Sequence, residues 1–309
     1  MKKILLTGAS GYVGRAIVSY LSNTELFSID RSSDKNVAIK SKKFIHKDLN
    51  NLSSEDRDDL NNFSGTIIHS AAARSDDSLK QIYLDDNIAA TKVFIDALDS
   101  KKIKKFIHIG SVAAIDGEYL NREGVSPISS DDIYRITKFQ QQEIIESWAM
   151  KNNIHLIILA PSAIYDAESS SNSTNIGRLE KAIGIFKFAP EINVYKSLTS
   201  MKSLVKAIEY FLNREIENIN QINNHLIERY IIIDRPIQTV TEICKKKFKA
   251  KCIIKIPGLK KILLLIAFLI NLMKLRKIIP LTKDRIEKLY KSTEYINVRG
   301  YQDWINEEN

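Results

Sequence analysis

A doubly wound parallel α/β sheet with a smaller carboxy-terminal part is predicted by three features of this 309-residue chain. Short apolar, β-branched runs alternate with helical patterns over the first 165 residues. The first run passes straight into a glycine-rich turn, and the alternation loosens after Pro161. Strands that are apolar throughout are covered on both faces, and alternation with helices makes their sheet parallel. Hydrophobic residues at 44% and charged residues at 27% fit an ordinary globular chain. The length suits one large domain or two smaller ones.

The elements follow in order. KKILLTG (2–8) reads as a strand. YVGRAIVSYLSN (12–23) reads as a helix, with Val13, Ile17, Val18 and Leu21 as its apolar positions. LFSID (26–30), KFIHKD (43–48) and GTIIHSAA (65–72) are three further strands, and NIAATKVFIDALDS (87–100) is a helix. KKFIHIGS (104–111) and IHLIILAP (154–161) are strands on either side of a helix that carries Tyr134. Beyond them, DAESSSNSTN (166–175) is a long Ser/Asn-rich loop of the kind that serves as a lid or binding loop. SMKSLVKAIEYFLN (200–213) is an amphipathic helix, RYIIID (229–234) a strand that returns to the sheet, and 258–291 is mostly helical.

Several classes are disfavoured. Cys244 and Cys252 form no CxxC pair and the five histidines show no metal-ligand spacing, so neither a disulfide framework nor a metal site is signalled. This fits a reducing cytoplasm. The opening MKKILLTGAS loses its apolar character at Thr7-Gly8 and is read as a strand, not a secretory signal. The net charge of +9 is concentrated: residues 241–291 hold fifteen Lys and Arg against three acids. Nucleic-acid binding is disfavoured, because these basic residues lack interleaved aromatics. Within them lies ILLLIAFLINLM (262–273), flanked by Lys260, Lys261, Lys274, Arg276 and Lys277. As a helix it would be about 18 Å long, too short for a hydrocarbon core of about 30 Å. It reads as a buried helix under a solvated lysine rim, or as a membrane-surface or partner-docking helix, which would make 258–277 a peripheral membrane contact.

Chemistry enters at TGASGYVG, with glycines at 8, 11 and 14 between a strand and a helix. Such glycines allow a tight turn, close approach of backbone to a pyrophosphate and close helix–strand packing. The phosphates then meet the N–H groups of the helix N-terminus. With Asp30 closing the second strand, this is a Rossmann-type dinucleotide-binding arrangement. Asp30 would accept from the ribose hydroxyls and favour NAD, while Arg31 beside it leaves NADP open. Residues 1–165 are thus assigned to the dinucleotide-binding part and 166–309 mainly to a substrate-binding part interleaved with it.

The spacing Gly-x-x-Gly-x-x-Gly after Thr7 resembles the extended short-chain dehydrogenase/reductase family, the NAD-dependent epimerases, dehydratases and reductases. The resemblance continues through Asp48-Leu49, HSAAA (69–73), Asn87, FIHIGSVAAIDG (106–117) and YRITK (134–138), and weakly through SLTSMKSLVKAI (197–208). It implies a cofactor site of Gly8, Gly11, Tyr12, Val13, Gly14, Asp30, Arg31, Asp48, Leu49, Ala71, Ala72, Ala73, Asn87, Lys138 and Pro161, and a catalytic set of Tyr134, Lys138 and Ser111. Counting back from Gly117 puts Val112 at the serine position, and a one-residue shift brings Ser111 there. Val112-Ala113 replaces the acidic pair of the family's dehydratases, which disfavours dehydration. Arg74, Asn175 and Arg178 fall in the family's substrate loops, where a cation could pair with a nucleotide diphosphate.

Tyr134 and Lys138, four apart on a helix, share a face. A free tyrosine, with a pKa near ~10, is a poor base, and a nearby ammonium lowers that value. The spacing alone is weak in a lysine-rich chain with twelve tyrosines. The ordered matches around it supply the context. The expected function is oxidation and reduction at C4 of a nucleotide-activated hexose, by epimerisation or 4-keto reduction, for bacterial surface polysaccharides. The alternatives are the same chemistry on a polyprenyl-diphosphate-linked sugar at a membrane, or a dinucleotide-binding protein without turnover. The resemblance also implies a homodimer.

Overall fold

The computed structural model describes residues 1–21, 24–73, 80–123, 130–166, 183–185, 187–215, 226–272 and 283–304. The chain divides into two compact units, one of 1–162, 201–233 and 297–309, the other of 163–200 and 234–296.

The first unit holds the main sheet. Its strands are β1 (Lys2–Thr7), β2 (Thr24–Asp30), β3 (Lys43–His46), β4 (Gly65–His69), β5 (Ile103–Ile109), β6 (Leu156–Pro161), β7 (Ile227–Ile232) and β8 (Gln302–Asp303). They lie in the order β8-β7-β6-β5-β4-β1-β2-β3, every neighbouring pair parallel. The helices are α1 (Tyr12–Tyr20), α2 (Lys35–Lys40), α3 (Ser54–Asn62), α4 (Ala90–Asp96), α5 (Ala113–Arg122), α6 (Ser130–Lys151) and α7 (Met201–Asn213). A one-turn α-helix, Lys80–Tyr83, and a π-helical stretch, Leu84–Ala89, lead into α4.

Burial explains the apolar runs. Leu5, Ile67, Phe106 and Ile158 pack with Phe94, Ile145 and Ala149 in one core. Their strand neighbours Ile4, Leu6, Ile68 and Ile107 are just as buried. Each strand therefore carries apolar residues on both faces, as a sheet covered on both sides requires. Strand order reverses between β1 and β4, and in such sheets ligands bind outside the carboxyl ends of the strands at that switch point. Residues 201–233 and 297–309 belong to this unit and supply α7, β7 and β8 to it. β7 pairs with β6 through six residues, and Ile231 and Ile232 are fully buried there.

Among its described residues the second unit has three two-stranded pairings: Ala163–Tyr165 with Leu198–Ser200, Tyr195–Lys196 with Gln238–Thr239, and Phe188–Pro190 with Cys252–Ile254. Its helices are α8 (Val240–Lys246), α9 (Leu259–Leu272) and α10 (Lys283–Tyr290). Tyr165, Ile192, Leu198, Val240, Ile243 and Phe248 belong to its core. Beside it the Asp234 carboxylate accepts from the Tyr165 hydroxyl at 2.6 Å and from Lys247 Nζ at 2.9 Å.

α9 corrects the buried-helix reading of 262–273. Ala267 and Ile270 are buried, but Ile262, Leu265, Ile266, Phe268 and Leu269 face outward. The rest of the basic segment, 273–277, lies outside the described residues. No helix among the described residues is long and apolar enough to cross a membrane.

Candidate active site

The turn after β1 brings its backbone close to the start of α1. Gly8 has φ +69° and its carbonyl accepts from Gly11 N–H at 3.0 Å. A Cβ on Gly14 would stand 2.1 Å from the Gly8 carbonyl oxygen, so only glycine lets α1 start this close to the strand. Gly11 caps α1 without a side-chain acceptor, and no acid occupies the first turn. The N–H groups around Tyr12, Val13 and Gly14 therefore present the positive end of the helix to an anion.

Asp30 closes β2 beside this turn. Its Oδ2 accepts from Ser10 N–H at 2.9 Å and its Oδ1 from Ser32 N–H at 2.8 Å. These two bonds fix the carboxylate, and each oxygen keeps acceptor capacity for a ribose hydroxyl. Arg31 Nη1 lies 2.8 Å from Asp86 Oδ1 and 4.0 Å from Asp48 Oδ2. Asp48 also accepts from Asn50 N–H at 2.9 Å, while Leu49 is buried in the core.

Beyond β4, Ala71 and Ala72 are half-buried and Ala73 is buried. Ala73 N–H donates to Asn87 Oδ1 at 2.8 Å, and Asn87 Nδ2 donates to Thr137 Oγ1 at 3.0 Å. Thr137 in turn donates to the Tyr134 carbonyl at 3.1 Å. Asn87 is fully buried and spends both ends of its amide tying the end of β4 to α6. It sits at the π-helical stretch, a distortion frequent at functional sites.

Lys138 is 2% exposed and donates to Gln141 Oε1 at 2.5 Å. Burial pushes its pKa down to about 7. Gln141 Nε2 donates to Thr91 Oγ1 at 2.9 Å and to the Ala71 carbonyl at 3.2 Å. His69, stacked on Phe94, lies 2.8 Å from Thr7 Oγ1 through Nδ1. Burial first, and then the charge of Lys138, lower its pKa to about 3, so it stays neutral. Tyr134 is half-buried on α6, its ring 5.8 Å from that of Tyr83.

Ser111 follows β5 and its Oγ accepts from Ala113 N–H at 3.1 Å, which leaves its O–H free to donate elsewhere. Val112 is buried and its N–H donates to the Pro161 carbonyl at 3.1 Å, joining the ends of β5 and β6. Of the two serine-position alternatives, Ser111 offers the hydroxyl. Gly117 lets α5 press on α6 one residue from Tyr134, since a Cβ there would fall 2.0 Å from the Arg135 carbonyl oxygen.

The structure thus gathers Gly8 to Gly14, Asp30, Ala71 to Ala73, Ser111, Lys138 and Pro161 at or just beyond the carboxyl ends of β1, β2, β4, β5 and β6 and on α6. Arg74, Asn175 and Arg178 lie outside the described residues. Sequence reasoning missed Ser10, Asp86, Thr91, Thr137 and Gln141. Ser10 lies inside the glycine turn, and Thr137 and Gln141 stand three residues past Tyr134 and Lys138 on the same helix, whereas Asp86 and Thr91 carry no such local signal.

Residues 4–207 match the NAD dependent epimerase/dehydratase family. An Escherichia coli O157:H7 protein, N-acetyl-alpha-D-glucosaminyl-diphospho-ditrans,octacis-undecaprenol 4-epimerase, is 23% identical over 79% of this chain and 73% of its own length. UDP-glucuronic acid 4-epimerase from Bacillus cereus, solved with NAD, is similar in fold at TM-score 0.61 and 19% identity, over 82% of this chain and 85% of that one. UDP-N-acetylglucosamine 4-epimerase from Methanobrevibacter ruminantium M1 gives TM-score 0.60 at 18% identity, over 83% and 86% of the two chains.

Proposed function

Since the chain belongs to the NAD dependent epimerase/dehydratase family, we propose that it is an NAD-dependent 4-epimerase of an activated hexose, with a nucleotide-linked sugar as substrate. When bound, NAD would supply the oxidation and reduction at C4. The Gly8–Gly14 turn and the α1 N-terminus would hold its pyrophosphate, and Asp30 its adenosine ribose. Tyr134 takes the proton from O4 and gives it back, with Ser111 orienting the same oxygen. Lys138 holds the nicotinamide ribose and, when protonated, favours the Tyr134 phenolate.

The observation that carries this reading is the placement of Lys138. A lysine is almost never buried without a reason, because its charged form loses its hydration. Here it lies buried four residues from Tyr134, on a helix pinned to the end of β4. Replacing Tyr134 by Phe should lower kcat at least a hundredfold with NAD content unchanged. A fully active Tyr134→Phe would sink the assignment. An epimerase also returns the same hydrogen and keeps its cofactor, so NAD should copurify. A protein that emerges empty and consumes NADH would instead be a 4-keto reductase.

A second reading keeps the chemistry and makes the sugar carrier a polyprenyl diphosphate. The Escherichia coli relative acts on such a substrate by its name, and α9 exposes apolar side chains within a basic segment. Offering the same hexosamine on a nucleotide and on a polyprenyl diphosphate separates the two, because turnover of only the lipid-linked form selects the second. A homodimer belongs to the proposal on the family resemblance, and light scattering in solution tests it.

A further inference from the structure

We infer that the outer face of α9, with the segment leading into it, is a docking surface for an anionic lipid bilayer. A helix on the surface of a water-soluble unit has one apolar stripe and one polar face. α9 has no polar face: its only polar residues are Lys260 and Lys261 in the first turn and Asn271 near the end. Ala267 and Ile270 supply its buried side. The opposite side carries Leu265 and Phe268, 60% and 61% exposed, together with Ile262, Ile266 and Leu269. Ile254 and Ile256, just before the helix, add two more exposed apolar side chains. Contiguous apolar exposure of this kind marks an interaction site.

The charge around the patch names the partner. Lys249, Lys251, Lys255, Lys260 and Lys261 are all exposed. No acid stands anywhere between Glu242 and Asp284. A second copy of the chain would bring the same lysines against these and be repelled, whereas an anionic headgroup layer complements them. Each lysine near such a surface is worth about a factor of five in partitioning. At 14 residues the helix is about 21 Å long. It therefore lies along the interface, with the apolar tip among the acyl chains and lysines at the headgroups. This inference stands on the surface itself and holds for either sugar carrier.

The test is cosedimentation of the full-length protein with phosphatidylglycerol-containing vesicles and with neutral phosphatidylcholine vesicles, at low and high salt, without substrate. Binding to the anionic vesicles is expected, weakening at high salt. Leu265→Asp with Phe268→Asp should lower partitioning more than tenfold while leaving bound NAD unchanged, which shows that the variant is folded. Lys260→Glu with Lys261→Glu should reduce binding most at low salt. Absence of binding at low salt, or undiminished binding by the Leu265→Asp, Phe268→Asp variant, overturns the inference. So does a wild-type dimer that this variant splits without any vesicle binding, since a second copy would then be the occupant.

Discussion

The Arg31 guanidinium is held by acids from two other segments, 2.8 Å from Asp86 on the π-helical stretch and 4.0 Å from Asp48 after β3. An arginine that follows the β2 acid can receive the extra phosphate of NADP. Here its charge is already met, so it does little to offset a phosphate beside Asp30. We therefore expect Arg31, like Asp30, to favour NAD. Replacing Asp86 by Ala should free the guanidinium and improve NADP affinity by about tenfold, the worth of one charge-assisted hydrogen bond. NAD affinity should change little. Titrating both dinucleotides into wild type and Asp86→Ala checks this, and an unmoved NADP affinity would show that Arg31 does not set selectivity.

Asn87 ties the end of β4 to α6 with both ends of one side chain, accepting from Ala73 N–H and donating to Thr137. Leucine of similar size would leave the Ala73 donor and the Thr137 oxygen without their partner in a fully buried place. Such a loss costs about 2–4 kcal/mol for the two groups together. Asn87→Leu should lose that much stability in denaturant unfolding. Combined with Thr137→Val, it should be non-additive by more than about 0.5 kcal/mol, because the two residues share a hydrogen bond. Additive losses would mean that the two side chains act separately.

What could be read from the sequence was what is local. β1, its glycine turn and α1 announce themselves because an apolar run, a Gly spacing and a helical period lie within twenty residues. Asp30 and the Tyr134–Lys138 pair share that property. The polar helices α2 and α3 have almost no apolar stripe and were not legible; Asp34 caps the first and a Ser53–Asp56 capping box starts the second. The pairing of Arg31 with Asp86 spans 55 positions and that of Gln141 with Ala71 spans 70, so neither has a local signature. For α9, composition gave the apolar run but not whether anything covers it. Burial depends on the packing of the rest of its unit.

Lys138 gives a stability prediction with a definite sign. Its pKa is about 7 in the folded, cofactor-free protein because burial penalises the ammonium, against 10.5 as the ordinary value. Between those two values the unfolded chain holds a proton that the folded one has released. Stability therefore rises with pH across that window, and below about 7 the full penalty of a buried charge is present. Lys138→Met keeps much of the volume and removes the charge. Its melting temperature, relative to wild type, should be several degrees higher at pH 6, with the advantage shrinking steadily towards pH 10. Lys105, lowered to about 8 chiefly by burial, contributes the same slope to both proteins and cancels in the difference. Activity should be lost in the same variant, since the amine that destabilises the fold is the one proposed to hold the cofactor ribose. A melting difference independent of pH would place the Lys138 proton in both states alike and remove the buried-amine account.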